Sequence, residues 1–326
     1  MAFCPALLVA HPASFALMAL PLPMWTYIKL FLTAVFWGGT FIAGRIVAAT
    51  VSPFSAAFLR FAIAASCLLA LTLIREKRFP RLHPRQMTGV ALLGLTGIFA
   101  YNSFFFGGLA LIAASRASLI IACNPVLITV LSAWMFRERL GPLRLVGTLI
   151  SLAGAVVVIT RGQPMQIWQG GVGTGEMMIF GCVVSWVAYS LIGKVLLKGL
   201  SPLTTVTCAA TSGMLMLLPV AWFSGLVADV AACRWQDWAS LVYLGVLGTV
   251  VGFVWYYQGI MRIGAGPASL FINFVPVSAI VMAYLILDEP VTASLVVGAL
   301  LVGTGVYLTC RPPLRRYALA TDGVSP

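Results

Sequence analysis

Residues 117–138 read ASLIIACNPVLITVLSAWMFRE, and residues 268–289 read ASLFINFVPVSAIVMAYLILDE. Both stretches begin with Ala-Ser-Leu, carry a proline near the middle and end in glutamate, and each shared position lies 151 residues from its mate. Nearer the N-terminus the spacing is 149 residues, as between Trp37 and Trp186. The chain therefore contains two copies of one unit. The glycines that match at the spacing of 151 are Gly94, Gly97, Gly108, Gly147 and Gly154, with Gly245, Gly248, Gly259, Gly298 and Gly305.

Composition places both copies in a membrane. Of the 326 residues, 61% are hydrophobic and 9% are charged, and the mean hydropathy is +1.03. A helix needs roughly 20 apolar residues to cross the ~30 Å hydrocarbon core of a bilayer. We therefore predict an all-α, polytopic membrane protein with ten transmembrane helices. The predicted helices are 28–49, 53–74, 88–110, 115–136, 142–160, 174–196, 202–223, 237–261, 266–287 and 291–310.

The ten predicted helices divide into five per copy, and this odd number fixes how the copies are related. Because the chain crosses the membrane five times within the first copy, the second copy begins on the opposite side and is inverted. Inverted repeats are typical of secondary transporters, whose halves exchange conformations around a central site. The predicted domains are an N-terminal extension (1–27), a first five-helix repeat (28–160), an inter-repeat loop (161–173), a second five-helix repeat (174–310) and a cytoplasmic tail (311–326).

The N-terminal extension contains several prolines and no lysine or arginine before Lys29. A signal peptide needs a basic region at its start, and this extension has none. Two interpretations are open: a disordered extension, or a translation start at Met18 or Met24.

The net charge of +12 reflects where the basic residues lie. In the ten-helix arrangement, 15 of the 20 lysines and arginines fall on one side of the membrane. Basic loops stay on the cytoplasmic side, so both termini are predicted to be cytoplasmic. Contact with membrane lipid headgroups is a second use for these charges, and no nucleic-acid partner is expected. The basic residues outside this pattern are Arg45, Arg60, Arg116, Arg161 and Arg234.

No constellation of residues for catalysis or metal binding stands out in the sequence. The seven cysteines show no CxxC spacing, and the two histidines, His11 and His83, lie outside the predicted helices. No Ser-His-Asp set and no phosphate-binding loop are evident. We therefore expect neither an enzyme nor a bound metal or cofactor.

Several short motifs resemble those of EamA-type transporters in the drug/metabolite transporter superfamily. Residues 36–41 read FWGGTF, and the second helix opens with Ser52-Pro53 and continues with Leu59-Arg60-Phe61. Each copy also has a proline-centred helix with an acidic residue at its end, followed by a glycine-rich helix. The resemblance covers about residues 28–310. It implies a ten-helix carrier of the bacterial inner membrane, often an exporter of metabolites, amino acids or toxic organic compounds.

Aromatic and amide side chains within the helices are the candidates for binding a small-molecule substrate. Trp37 and Trp186 are mates that lie deep in helices 1 and 6. Residues 104–106 are mates of residues 255–257, and we expect one or two of each triplet to line the path, because three consecutive residues cannot all face one cavity. The alternative for each ring is packing between helices or contact with lipid. The candidates are Trp37, Arg60, Tyr101, Asn102, Asn124, Trp186, Trp255, Tyr256 and Asn273.

Two prolines, Pro125 and Pro276, are predicted to kink helices 4 and 9 in mid-membrane. A kink frees backbone carbonyls, so such sites usually face protein or a water-filled cavity. Asn124 and Asn273 lie beside the prolines. Their amides either bind substrate or satisfy the loosened backbone. Arg60 either anchors a substrate carboxylate or extends toward the periplasmic headgroups, and the pattern slightly favours the headgroups.

Glu138 and Glu289 end helices 4 and 9. We expect each to satisfy free N–H groups at the start of the helix that follows it, with gating or proton sensing as the alternative. The glycine stripes of helices 5 and 10 permit close packing, either within one chain or between two chains in a homodimer.

The predicted helices carry no acidic residue in mid-span. Proton-coupled carriers usually have an acidic or histidine relay there, so facilitated diffusion or exchange is favoured. Rings and amides with at most one cation predict export of small zwitterionic or aromatic metabolites, above all amino acids. The alternatives are an exporter of drug-like organic cations, which would prefer an acid in the cavity, and a non-transporting membrane scaffold or sensor.

Overall fold

The computed structural model describes residues 22–77, 82–124, 126–128, 131, 142–163, 172–196, 199–263, 268 and 271–310. Within these ranges the regular elements are all helices, which confirms the all-α prediction. The helices are α1 (Leu22–Ala48), α2 (Pro53–Glu76), α3 (Pro84–Leu111), α4 (Ala114–Ile121), α5 (Pro142–Ile159), α6 (Thr174–Leu196), α7 (Pro202–Phe223), α8 (Trp235–Gly259), α9 (Phe274–Leu287) and α10 (Ala293–Cys310). A short helix, Leu226–Ala232, lies between α7 and α8.

Six of these helices, α1, α2, α3, α6, α7 and α8, are long and apolar enough to cross a membrane. The helices α4, α5, α9 and α10 are also apolar but shorter over the residues that the structure describes. The chain is therefore a multi-pass membrane protein, and its length and composition support six crossings within the described ranges.

Helices α2 and α7 start with the same Ser-Pro pair and run in opposite directions side by side. Proline suits the first turn because its missing N–H is not needed there. The hydroxyl of Ser52, just before α2, donates to the carboxylate of Asp229, which follows α7, at 2.6 Å. The hydroxyl of Ser201, just before α7, donates to Glu76 at the end of α2 at 2.5 Å. Each helix start is thus tied to an acid at the end of the other helix.

Helices α5 and α10 pack against each other through their glycines. A Cβ atom at Gly154 would lie 2.7 Å from the backbone nitrogen of Val302, so only glycine allows this approach. Gly305 of α10 lies in the same way against the backbone of Ser151. The predicted glycine stripes therefore face each other within one chain, and this surface is not free for a second copy.

Helices α3 and α8 each contain a π-helical segment, Gly94–Ala100 and Tyr243–Val251. The two segments occupy matching places in the two sequence copies. A π-turn shifts the backbone hydrogen bonds by one residue and is often found at functional sites. Here carbonyl groups of both segments accept hydrogen bonds from polar side chains inside the bundle: Asn102 Nδ2 donates to Ile98 at 2.9 Å, and Thr249 Oγ1 donates to Leu244 at 2.9 Å.

Candidate functional site

A small cavity of about 60 Å³ lies between helices of both copies. A space of this size holds roughly two water molecules. Its walls combine aromatic rings with one cation and one amide. The lining residues are Trp37, Thr40, Phe41, Arg60, Tyr101, Phe105, Ile121, Asn124, Trp186, Phe253, Ile272 and Val275.

The two tryptophans that the repeat spacing pairs, Trp37 and Trp186, meet at this cavity. Their ring centres lie 6.1 Å apart in an edge-to-face arrangement. Trp37 donates its indole N–H to the carbonyl of Gly248 at 2.9 Å, which satisfies the polar atom of a ring within the bundle. Tyr101 packs against Trp186 at 5.4 Å, and Phe253 packs against both tryptophans. The result is an aromatic wall built by α1, α3, α6 and α8.

Arg60 lies inside the bundle, and the expectation that it extends to the headgroups is wrong. Only 5% of the residue is exposed. Its guanidinium donates to the side-chain oxygen of Asn102 at 2.9 Å and to the hydroxyl of Thr249 at 3.2 and 3.3 Å. Neutral polar groups on two neighbouring helices hold it in the interior, and they use three of its five N–H donors. The alternative left open by the sequence, a cation beside the cavity, is the one that the structure contains.

The two π-helical segments explain how Arg60 is held. Asn102 bonds through Nδ2 to the π-segment of α3, so its oxygen is free to accept from Arg60. Thr249 donates its own hydrogen to Leu244, so its lone pairs accept from Arg60. Both side chains are therefore oriented as acceptors by backbone carbonyls. Asn102 stands behind Arg60 rather than in the cavity wall.

Asn124 lines the cavity and has an unsatisfied atom. The residue is 4% exposed, and its side-chain oxygen has no hydrogen-bond partner among the described residues. Buried acceptors without partners are costly, and in native proteins they are often explained by a ligand or by function. The Asn124 oxygen is thus available to accept a hydrogen bond from a molecule in the cavity.

The triplet 255–257 does not line this cavity, so a place for one or two of its rings along the path stays a prediction. Trp255 packs against Phe36, with the ammonium group of Lys29 5.6 Å from its ring centre. Tyr256 packs on Trp37, with 5.2 Å between the two ring centres, and only Trp37 of this pair lines the cavity. In the other triplet, Phe105 does line the cavity.

The prolines and their asparagines can be placed only in part. Pro125 and Glu138 lie outside the described residues, as does the side chain of Asn273. Pro276 lies in the first turn of α9, directly after a 3₁₀ turn at Phe271–Asn273, rather than at a bend within one α-helix. Proline is tolerated in a first turn, where N–H groups have no helical partner. The break falls beside Ile272 and Val275, which line the cavity, as expected for a freed backbone.

A second, larger cavity of about 1320 Å³ opens where α3, α5 and α9 end and where α4, α6 and α10 begin. Glu289 lies in its wall and accepts hydrogen bonds from the backbone of Ala114 and Ser115 at 2.9 and 3.1 Å and from the Ser115 hydroxyl at 2.7 Å. Glu289 therefore satisfies the start of α4. The expectation that it would cap the following helix, α10, is wrong, because the start of α4 lies beside the end of α9.

Arg116 and Glu176 form an ion pair in the same wall. Their side chains approach to 3.0 Å, and Arg116 also donates to the carbonyl of Val158 at 3.1 Å. The pair joins the start of α4 to the start of α6 and to the last turn of α5. The wall of the large cavity is thus held by two carboxylates, Glu289 and Glu176, each bound to α4.

Two stretches of the chain, residues 24–160 and 173–311, each match the EamA-like transporter family. The chain belongs to the EamA-like transporter family. This EamA-like protein is 29% identical to the Uncharacterized transporter YyaM of Bacillus subtilis (strain 168), over 86% of this chain and 92% of the relative. It is 30% identical to the Probable terminal-alkyne amino-acid exporter of Streptantibioticus cattleyicolor, over 90% of this chain and 96% of that protein.

One solved crystal structure is similar to the EamA-like chain, with a TM-score of 0.62 and 22% identity. The similarity covers 88% of this chain and 97% of the solved chain, so the fold is shared over nearly the whole length. A sequence identity of 22% supports a shared fold but not a shared function. The family and the relatives above are transporters, and the EamA-like chain is a membrane transporter by this membership.

Sequence reasoning missed several residues of the site in this EamA-like protein. Thr249 accepts hydrogen bonds from Arg60, but a lone threonine in an apolar helix does not stand out in the sequence as a site residue. Phe253 lines the cavity and is the mate of Asn102 at the spacing of 151, which is the signal that could have found it. Thr40 and Phe41 also line the cavity and belong to the FWGGTF motif, which the resemblance had singled out without a role for each residue.

Proposed function

We propose that the protein is a secondary transporter that exports small metabolites, most of all amino acids or related zwitterionic and aromatic compounds. It works by alternating access between two inverted five-helix repeats, residues 28–160 and 174–310. The single observation that carries the proposal is a buried cation, Arg60, in an aromatic cavity between the two copies, with an unsatisfied amide oxygen on Asn124 in the same wall.

The symmetry of the cavity supports the two-repeat mechanism. Mate positions line it together: Trp37 with Trp186 at the spacing of 149 residues, and Ile121 with Ile272 at 151. The antiparallel pairing of α2 with α7 agrees with an inverted relation between the copies. A site on the axis between two such halves is where alternating access needs it.

The chemistry of the walls supports a carboxylate-bearing substrate. A guanidinium has five N–H donors, and the described bonds of Arg60 use three of them, so two are left for a carboxylate. The free oxygen of Asn124 suits an ammonium group, and the aromatic wall suits an apolar side chain and also attracts cations. The Streptantibioticus relative is named as a probable amino-acid exporter, which agrees with this class.

A drug-like organic cation is the second candidate, and the cavity disfavours it. A cationic drug would meet the positive charge of Arg60, and the lining of this cavity contains no carboxylate among the described residues. A scaffold or sensor without transport is the third candidate, and it gives no reason for a buried cation beside a cavity.

The orientation follows from the basic residues. Both termini are cytoplasmic in a bacterial-type inner membrane, as the positive-inside rule indicates. The large cavity of about 1320 Å³ lies at the helix ends on the opposite face, so it is the periplasmic vestibule through which exported substrate leaves. The central cavity of about 60 Å³ is too small for an amino acid, so the halves must move apart to load it.

Counterflow in proteoliposomes tests the proposal. Proteoliposomes that contain the purified protein are loaded with unlabelled L-phenylalanine, L-leucine or L-tryptophan. The labelled form of the same amino acid is then added outside, with and without a pH gradient. Saturable counterflow that does not need the gradient is expected. Uptake seen only with a proton gradient would contradict the proposed absence of proton coupling, and no counterflow with any probe would contradict amino-acid transport.

Point variants connect the flux to the cavity. Trp37→Ala removes an aromatic wall of the cavity, and Asn124→Ala removes the amide whose oxygen has no partner in that wall. Each is expected to lower flux at least tenfold while expression is kept. The matched control is Trp222→Ala, because Trp222 is a largely exposed tryptophan on α7. Normal flux in both cavity variants would refute the assignment of this site.

A further inference from the structure

Arg60 has no acidic partner among the residues that the structure describes. Its hydrogen bonds go to neutral oxygens of Asn102 and Thr249. The ring of Phe61 lies 5.3 Å from its guanidinium carbon, which adds a weak cation–π contact. The charge itself is therefore not balanced within the described part of the protein.

Five of the acids that the structure describes have partners other than Arg60. Of the eight Asp and Glu residues, Asp288 directly follows the end of α9, and Glu138 and Asp322 lie outside the described residues. The other five bind groups at the ends of helices. They are Glu76, Glu176, Asp229, Asp237 and Glu289.

We infer that the substrate carboxylate is the counter-ion that Arg60 lacks, and that the carrier crosses between its two open forms rapidly only when substrate occupies the cavity. This inference rests on the proposed function, and it adds the mode of transport. The protein is then an exchanger, in which one carboxylate-bearing solute leaves as another enters. Net export by an empty return step is the slow process.

The physical reason lies in the hydration of the guanidinium. In an open form water reaches the cavity and solvates Arg60. The empty cavity of this structure has about 60 Å³, which is room for roughly two water molecules, and a form closed on both sides offers no more room. Two waters do not replace the hydration shell of a cation, so the empty closed form carries an unpaired buried charge.

A bound carboxylate removes this penalty. Its two oxygens accept charge-assisted hydrogen bonds from the two N–H groups that Asn102 and Thr249 leave unused. The loaded closed form is then neutral around Arg60, and it lies lower in free energy than the empty closed form. We expect the loaded carrier to cross at least tenfold faster than the empty one.

Trans-stimulation in proteoliposomes tests this difference directly. Labelled L-phenylalanine, L-leucine and L-tryptophan are the external probes. The vesicles contain buffer, the same unlabelled amino acid, or the amine that lacks only its carboxylate, such as phenethylamine for L-phenylalanine. Initial uptake should be at least tenfold faster with the amino acid inside than with buffer, and the amine should give no stimulation.

The outcomes separate the two proposals. Equal uptake into all three kinds of vesicle would overturn the exchange mechanism and leave the proposed function standing. Stimulation by the amine as strong as by the amino acid would also overturn it, because the carboxylate would then not be the coupling group. Uptake of no probe in any vesicle would overturn the proposed function and this inference with it.

The variant Arg60→Gln identifies the residue responsible. It keeps a donor for Asn102 and removes the charge, so the ratio of uptake with and without internal amino acid should fall to about one. Arg75→Gln is the matched control, because Arg75 is an exposed arginine on the same helix, and it should keep the wild-type ratio. A wild-type ratio in Arg60→Gln would overturn the role of Arg60. Should this variant fail to fold, the wild-type ratio and the amine comparison still decide the mechanism.

Discussion

The packing of α5 against α10 can be tested with two glycine-to-alanine variants, one at the helix contact and one away from it. Gly154→Ala places a Cβ atom 2.7 Å from the backbone nitrogen of Val302 and 2.8 Å from Cβ of Leu301. Atoms in good contact lie about 3.5–4.0 Å apart. The two helices must therefore separate by close to 1 Å, because a backbone atom cannot move aside as a flexible side chain can.

The magnitude follows from two opposing terms. Overpacking of this kind costs about 1–3 kcal/mol. Alanine favours the helix over glycine by about 1 kcal/mol. Gly303 lies in α10 with no atom within 4 Å of its would-be Cβ, so Gly303→Ala gains only the second term. The difference between the two variants is then the packing cost alone, about 1–3 kcal/mol.

Thermal unfolding in detergent, recorded at one scan rate, is the assay. A difference of about 1 kcal/mol shifts the Tm by roughly 2 °C for a chain of this size, so Gly154→Ala should melt about 2–6 °C below Gly303→Ala. Equal Tm values would refute the intrachain packing. Light scattering of the purified protein gives the oligomeric state in the same samples. A change of state specific to Gly154→Ala would mean that the stripe serves a homodimer instead.

Two further predictions concern single side chains. Glu289→Ala removes the acceptor of two backbone N–H groups and a hydroxyl at the start of α4, and should lower the Tm in detergent by about 2–4 °C, for a loss of roughly 1–2 kcal/mol. Glu289→Gln should recover part of this loss, and an unchanged Tm in both variants would count against the capping role. Thr249→Val removes an acceptor that orients Arg60, so the KM for a carboxylate substrate should rise about 5- to 30-fold, for roughly 1–2 kcal/mol, with the maximal rate nearly unchanged. Thr249→Ser should restore the KM, and a fall in maximal rate alone would argue against positioning.

Repeat spacing and composition were enough to predict the helical class and to select Trp37 and Trp186, which meet at the cavity, as candidate residues. Both predictions depend on quantities that one sequence contains: the length of apolar runs and the distance between matching motifs. The same spacing explains why Ile121 and Ile272, which carry no chemistry of their own, lie in the same wall. In the inverted arrangement that we propose, the two copies bring mate positions toward a common axis.

The side of each helix that faces the cavity could not be predicted. Helices that are apolar all round have no amphipathic stripe, so their sequence does not show which face is buried. Arg60 could therefore be assigned to lipid as readily as to the interior, and its position depends on Asn102 and Thr249, which are distant in sequence. The prediction that Glu289 caps α10 was wrong for a related reason. Glu289 lies next to α10 along the chain, but in space it lies beside the start of α4.

The chemically specific groups of the cavity lie where the two copies differ. Asn124 and its mate Val275 both line the cavity, but only the first copy supplies an amide. The mate of Arg60 at the spacing of 149 is Ala209, so the charge also belongs to one copy alone. In the proposed alternating-access mechanism, the shared positions build the frame that moves between two equivalent states, and such a frame has no preference for one substrate. Discrimination must come from unequal mates, because an arginine in both copies would place two cations in one cavity. A polar residue deep in one copy that faces an apolar mate in the other is therefore the sequence signal for the substrate site in a repeat of this kind.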